Sequence, residues 1–249
     1  MYNFQKYIDA ACGDTGYYIG HLTNKDVKVF QNIVGNQYQQ ILKSYESIFS
    51  KKIVDINSYH TLDIAKSSHH KKLWPKKNRI LTQERFEEIK KTNFFTDLDK
   101  QLEWYEITDE EKSGWGEVYF RLCRPAPYVD VGPLHADAWF WELGHGKIPY
   151  REFSTKRVKI WFCLHADGDK TGFKFADGSH KKSYNYSGES RDGFVKPTFD
   201  ESKYDLNIKS LKGNIGTFIV FNDCLIHSGE VLKSSTRVSL EFTLEIKNK

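Results

Sequence analysis

Two histidines, one aspartate and one arginine in this chain have the types and spacing that metal-assisted oxidation needs. His135 and Asp137 stand two residues apart in PLHADAWF. If that segment is extended, positions i and i+2 share a face, so an imidazole and a carboxylate can reach one metal ion together. His227, in NDCLIHSG, follows His135 by 92 residues and supplies a third donor. Two histidines and one carboxylate on one face of an octahedron leave the opposite face open, the arrangement of non-haem Fe(II) oxygenases. Ten residues beyond His227 stands Arg237, and Ser239 follows two further on. On a strand these two share a side. A guanidinium forks onto a carboxylate through two parallel hydrogen bonds, and a neighbouring hydroxyl adds one donor. Such a pair is suited to the distal carboxylate of a 2-oxo-diacid whose other end chelates the metal.

H-x-D alone is a weak signal, since His165 and Asp167 form a second one in CLHADG. Asp167 and Asp169 lie among glycines, as in a turn. Only from His135 is there room for a further strand, 158–164, before the distal histidine. The 135/137 pair is therefore preferred. Cys224 precedes His227 by three but reads as a strand cysteine. His180 either caps a turn or lines the mouth of a site. Arg121 and Arg124 either bind an anionic substrate or co-substrate or pair with acids. Trp139, Phe140 and Trp141 wall a pocket or fill the core, and Trp161 suits the core or a pocket floor.

The elements that must position these residues fall into two parts. In residues 1–114 the pattern is mainly helical. From Val27 to Phe49 apolar residues recur at steps of three or four, with Thr23 or Asn24 as cap. Further helices are expected after Thr82 and from Thr96, where Asp99 completes a capping-box spacing. From 115 to 249 short alternating runs prevail: Glu117–Leu122, Leu134–Trp139, Val158–Leu164, Phe173–Phe175, Leu206–Lys209, Thr217–Phe221 and Val238–Ile246. They predict a β-sandwich or barrel. The polar segment 181–205 reads as an excursion over one end, a lid. The run 66–79, KSSHHKKLWPKKNR, reads as a solvated loop or a phosphate-binding patch.

Composition excludes several classes. The 249 residues carry 37 Lys+Arg against 33 Asp+Glu, a net charge of +4 that does not point to nucleic acid. With 39% hydrophobic residues the chain is not disordered. No apolar run of about 18 residues occurs, so no membrane span is expected. The opening MYNFQKYIDAACGDTGYY has no basic segment leading into an apolar run, so no secretory signal is expected. Four scattered cysteines form no disulfide framework, and the cytoplasm is the expected compartment.

HADAWF, KIWFCLHADGDKTGFKFADGSHKKS, FNDCLIHSGE and TRVSLEF follow one another as in the phytanoyl-CoA dioxygenase-like family, which this chain resembles over roughly residues 115–246. The resemblance implies one oxygenase domain over 1–249, mainly β with flanking α. Its core would be a double-stranded β-helix (jelly roll, cupin-like) with N-terminal helices packed on it. It also implies Fe(II), 2-oxoglutarate and O2 as reactants, with His135, Asp137 and His227 as metal ligands and catalytic centre. Arg237, assisted by Ser239, would hold 2-oxoglutarate. Halogenating relatives replace the carboxylate by a small residue, and Asp137 is kept, so hydroxylation or another oxidation is favoured. DGSH departs from the more usual PGSH, but only in a turn.

The substrate expected is a polar or anionic small molecule, with Arg121, Arg124, Trp139, Trp141 and His180 as candidate contacts and Arg151 and Arg157 adding positive charge. The alternatives are a nucleic-acid or protein demethylase of the same superfamily, a cupin-like metal enzyme that does not use 2-oxoglutarate, and a binding module. The demethylase pattern wants a closer arginine after the distal histidine and a second one in the same strand, and after Ser235 the only arginine is Arg237.

Overall fold

The structure, a computed structural model, describes residues 1–45, 54–67, 69–144, 155–191 and 194–247. The chain opens with α1 (Phe4–Cys12), β1 (Tyr17–His21) and α2 (Asn24–Lys43). Three short helices follow: α3 (Asp63–Lys66), α4 (His69–Leu73) and α5 (Lys76–Arg79). Then come α6 (Gln83–Lys90), α7 (Asn93–Gln101), β2 (Tyr105–Ile107), β3 (Tyr119–Cys123) and α8 (Asp137–Glu142). The remaining strands are β4 (Thr155–His165), β5 (Lys170–Ala176), β6 (Tyr186–Arg191), β7 (Phe194–Phe199), β8 (Ile208–Lys212), β9 (Thr217–Asn222), β10 (His227–Gly229) and β11 (Arg237–Lys247).

Six strands form the major sheet in the order β1-β9-β4-β11-β2, with β3 also on β11; β10-β5-β8 form the minor sheet, and β6-β7 a hairpin. Pairing within these sheets is antiparallel throughout. Strand alternation decides what each face of the major sheet carries. Val158, Ile160, Phe162 and Leu164 of β4, Phe218 and Val220 of β9, and Leu240, Phe242 and Leu244 of β11 pack in one cluster with Phe30, Phe94 and Phe95 of the helices. The other face presents Trp161, Cys163, Ile219 and Phe221 to Phe173, Phe175 and Leu211 of the minor sheet. Arg237, Ser239 and Glu241 share that inner side of β11, and β3 brings Cys123, Arg121 and Tyr119 directly opposite them.

Several expectations are corrected. The residues Leu134–Trp139 are not a strand. His135 forms a single bridge to His227, and Asp137 begins α8, whose Ala138 N–H donates to Asp223 O at 2.9 Å. Burial of Trp139 and Trp141 selects the helical turn there. Thr96 does not open a helix. It lies inside α7, which starts at Asn93 because Phe94, Phe95 and Leu98 must reach the core, and Tyr105 belongs to β2. Packing outweighs the capping-box spacing.

Helix α2 begins as read, with the Thr23 hydroxyl accepting from the Asp26 N–H, but runs only to Lys43; residues 46–49 of the expected helix lie outside the described residues. The N-terminal part is not wholly helical, since β1 forms an edge of the major sheet. The excursion 181–205 contains the β6–β7 hairpin, with Tyr186 stacked on Trp139 at 4.7 Å.

The basic run is not a solvated loop. It folds into α4 and α5 around Trp74, which is buried and stacked on Tyr38 at 5.6 Å. His70 is buried between the Tyr59 hydroxyl (3.1 Å) and Asp130 Oδ2 (3.6 Å). Burial lowers its pKa to about 4, although Asp130 pulls the other way. The unfolded chain takes up this proton first, so the neutral ring's contribution is complete above about pH 6.5 and is lost as pH falls toward the folded value. Urea melts at pH 7, 6 and 5 should show stability falling by up to about 1.4 kcal/mol per pH unit from this group. His70→Gln should flatten the slope; an unchanged slope would refute the assignment.

Candidate active site

The donor atoms of His135, Asp137 and His227 lie within 4.8 Å of one another, the one such group among the described residues. Asp137 Oδ1 is 3.8 Å from His135 Nε2 and 3.9 Å from His227 Nε2. The bridge between His135 and His227 brings the two imidazoles to a 4.6 Å ring separation. The turn into α8 then swings Asp137 between them. The sequence thus brings the right residues together, through a strand-to-helix turn and not through strand alternation.

Each histidine is fixed in one tautomer. Nδ1 of His135 is 2.9 Å from Pro133 O, and Nδ1 of His227 is 2.9 Å from Leu225 O. A carbonyl only accepts, so Nδ1 carries the proton and Nε2 keeps its lone pair, as a metal-ligating imidazole requires. Burial, followed by the neighbouring His227, lowers His135 to about 4. Burial also lowers His227. Burial pushes Asp137 upward, but Lys159, His227 and His135 outweigh it and hold the carboxylate ionised. Two neutral nitrogens and one anionic oxygen suit Fe(II).

Arg237 is 2% exposed at the start of β11. Its Nη1 donates to Gly172 O at 2.9 Å, and its Nη2 contacts Cys123 Sγ at 2.6 Å. Gly172 is a glycine for room: at φ 77° a Cβ there would meet Arg237 Cδ at 2.3 Å. Arg237 Nε and Ser239 Oγ are buried without a hydrogen-bond partner, and Asp137 Oδ2 has only a 3.6 Å ion pair with Lys159. Orphaned polar atoms of this kind cost about 1–3 kcal/mol each. The two orphaned donors on β11, beside the His135–Asp137–His227 group, fit a bound metal with a carboxylate-bearing co-substrate.

Two cavities flank the group. One, about 290 Å³, is lined by His135, His227, Arg237, Trp161, Phe173 and Glu241 among others. The second, about 280 Å³, is lined by His135, Asp137, Lys76, Arg79, Trp141 and Lys159 among others. Arg121, Phe140 and Lys196 line both.

Of the other sequence-predicted contacts, Arg121 reaches the site but is ion-paired with Glu241. Trp141 reaches the second cavity, with its ring under the Arg157 guanidinium at 4.2 Å. Arg157 itself is buried and paired with Glu245 at 3.0 Å. Arg124 lies elsewhere, paired with Asp130 at 2.6 Å. Trp139 packs against Tyr186 and Phe199 and lines neither cavity. His180 lies against the N-terminal turn, with Nε2 3.1 Å from Gly13 O. Arg151 lies outside the described residues. His165 and Asp167 join no metal group; Asp167 accepts from Ser234.

Sequence reasoning missed Lys159, Glu241 and Tyr119. Lys159 Nζ is 3.6 Å from Asp137 Oδ2 and 3.1 Å from the Tyr119 hydroxyl. For Lys159 and Glu241 the signal was a lone charge inside a strand-forming run, VKIWF and SLEFT; Tyr119 had none. Lys76 and Arg79 were noticed only as part of a basic run.

No protein-family model and no curated protein matches the sequence. Solved structures do resemble the fold. EctD from S. alaskensis with 2-oxoglutarate and 5-hydroxyectoine aligns at TM-score 0.53 and 14% identity, over 99% of this chain and 76% of that one. EvdO2 from Micromonospora carbonacea var. aurantiaca, complexed with 2-oxoglutarate, aligns at 0.56 and 14%, over 99% and 91%. The non-heme monooxygenase ThoJ in its apo form aligns at 0.51 and 15%, over 94% and 75%. The chain is thus mainly β with flanking helices, on the jelly-roll scaffold of these proteins. No helix among the described residues is long and apolar enough to cross a membrane.

Proposed function

We infer that this chain is a non-haem Fe(II)- and 2-oxoglutarate-dependent oxygenase acting on a C–H bond of a polar small molecule. The observation that carries the reading is the tight His135–Asp137–His227 group beside a buried Arg237 with an orphaned Nε. EctD and EvdO2, solved with 2-oxoglutarate, support it, as does EctD solved with Fe.

His135 and His227 would offer Nε2 and Asp137 a carboxylate oxygen to iron. When bound, iron and 2-oxoglutarate supply the oxidising power of O2: one oxygen atom enters the substrate, the other enters succinate, and CO2 leaves. The protein's part is placement. Arg237 and Ser239 would hold the far carboxylate of 2-oxoglutarate, and Trp161 and Phe173 wall that cavity against water. Lys159 keeps Asp137 ionised. Lys76 and Arg79 of the basic run line the second cavity instead of forming a nucleic-acid surface, which favours a small-molecule substrate.

The test is an anaerobic titration of the metal-free protein with Fe(II) and then 2-oxoglutarate, followed by visible absorption. A weak band that needs both additions is expected. His135→Ala should abolish it. Arg237→Ala should raise the 2-oxoglutarate needed by about ten- to a hundredfold, the worth of a charge-assisted bidentate contact. Bound iron without a band would overturn the 2-oxoglutarate assignment and leave a cupin-like metal protein.

A further inference from the structure

The second cavity carries a charge that the proposed chemistry leaves without a task. Four cations surround the Tyr119 ring: Lys159 at 5.2 Å, Lys76 at 5.3 Å, Arg121 at 5.4 Å and Arg79 at 6.0 Å from its centroid. Three of them have carboxylate partners. Lys76 Nζ lies 2.6 Å from Glu117 and 2.7 Å from Glu110. Arg121 is paired with Glu241, and Lys159 lies 3.6 Å from Asp137.

Arg79 has none among the described residues. Its Nε donates to Trp74 O and its Nη1 to Phe120 O, each at 3.1 Å. Those two neutral carbonyls fix the guanidinium in place without neutralising it, and Nη2 has no acceptor among the described residues. Burial, followed by repulsion from Arg121, pulls its pKa down to about 10. Arg79 is half-buried, feels Glu241 only at a distance without an ion pair among the described residues, and lines the same cavity as His135 and Asp137, beside Glu110 and Glu111; a partly buried cation without a close counter-ion favours an anion.

We propose that Arg79 is the substrate anchor, binding a carboxylate or phosphate of a small organic anion in the second cavity so that its carbon skeleton lies beside His135 and Asp137. The anchor is specific in kind. A guanidinium held by two backbone carbonyls is pre-organised and presents its remaining N–H groups in a fixed plane, matching a planar carboxylate or a phosphate edge. Lys76, already flanked by Glu110 and Glu117, does not compete for the anion. Phe140 and Trp141 offer apolar walls for the skeleton. The assignment of Arg79 to the substrate, as distinct from a co-substrate, rests on the oxygenase reading, which places 2-oxoglutarate on Arg237.

The test is calorimetry on protein saturated with Mn(II) and 2-oxoglutarate, so that Arg237 is occupied and no turnover occurs. The probes are benzoate and phenyl phosphate, each compared with neutral benzamide. At least one anion should bind about ten- to a hundredfold tighter than benzamide, the range for charge-assisted hydrogen bonds; which one does so tells carboxylate from phosphate. Arg79→Met should erase the preference, and Arg79→Lys, which keeps the charge but loses the fork, should keep part of it.

Equal binding of anions and amide by the wild type would overturn the proposal, as would a preference that survives in Arg79→Met. If Arg79→Met fails to fold, as judged by lost Mn(II) binding, Arg79→Lys decides, and an undiminished preference there refutes the anchor. Failure of the oxygenase reading looks different. The wild type would then not take up Mn(II) or 2-oxoglutarate, while the Arg79-dependent anion preference would persist in metal-free protein.

Discussion

Replacing His227 by alanine is expected to weaken divalent-metal binding by more than about a hundredfold, beyond the 10–100-fold cost of losing a group that merely supports a ligand. The fold should survive the change. His135 and His227 are joined through their backbones, N–H to O at 3.0 and 2.8 Å, so the bridge that shapes the site does not depend on the side chain. What is lost is one of three donors and the ring's contacts with Phe173 and Phe221. Calorimetric titration with Mn(II) reads the effect directly, and Asp137→Asn should behave alike. His165→Ala, which removes the histidine of the second H-x-D pair, should bind metal as the wild type does. Metal loss in His165→Ala but not in His227→Ala would transfer the site to the other motif. A second readout follows by linkage. Metal at a thousand times its dissociation constant stabilises the folded state by about 4 kcal/mol, and a site a hundredfold weaker gains only about 1.4 kcal/mol at the same concentration, so the Tm gained on adding metal should shrink to about a third or less in His227→Ala.

The second large effect concerns stability. Glu241→Ala should cost about 1–3 kcal/mol, the range for removing a buried carboxylate that accepts a charge-assisted hydrogen bond, because Arg121 is nearly half exposed and regains water while Lys159 stays buried. Glu241 is 6% exposed on the inner face of β11, ion-paired with Arg121, and stands directly across from Tyr119. Burial alone would raise its pKa, yet Arg121 and Lys159 hold it far below the usual carboxylate range. A depressed folded pKa contributes stability above the unfolded value near pH 4.3, lost as pH falls below it. Without Glu241, Lys159 keeps only Asp137 and the Tyr119 hydroxyl as buried partners. Lys159→Met alone should also destabilise. The double variant Glu241→Ala/Lys159→Met should cost less than the two singles together, because it leaves fewer uncompensated charges. Urea melts of the three proteins at pH 7 measure this. A loss below about 1 kcal/mol in Glu241→Ala, or strict additivity, would refute a coupled buried network.

These results bear on how far the residues could be read before the fold was seen. The strands β4, β9 and β11 were legible because every second residue is apolar and the remainder must face something else. The three metal-type donors and Arg237 were legible because few other roles need those types at that spacing. Helix α8 was not legible. The alternation read over Leu134–Trp139 overlaps α8 only at 137–139, and the choice is made by where Trp139 and Trp141 find cover, a matter of contacts with Tyr186, Phe199 and Arg157 far along the chain. The start of α7 was missed for a like reason. Lys76 and Arg79 were the least legible, because a basic run carries no sign of which of its members turn inward. Trp74 decides that by stacking on Tyr38, with Phe120 edge-on against it.

The pairing of β1 with β9 has a consequence for how the chain reaches its folded state. Tyr17 lies opposite Phe221 and His21 opposite Thr217, so roughly two hundred residues of chain must be made before that edge of the major sheet can close. Until then β1 has no strand to lie against, and its backbone N–H and C=O groups offer a free edge to any other extended segment. β3 waits in the same way for β11, its partner in the sheet. A topology so dominated by distant pairings folds slowly. The same long closures assemble the metal-type donors, which come from segments 92 residues apart. The hazard of this architecture is therefore greatest during biosynthesis, when a nascent chain carries unmatched strands and no finished pocket.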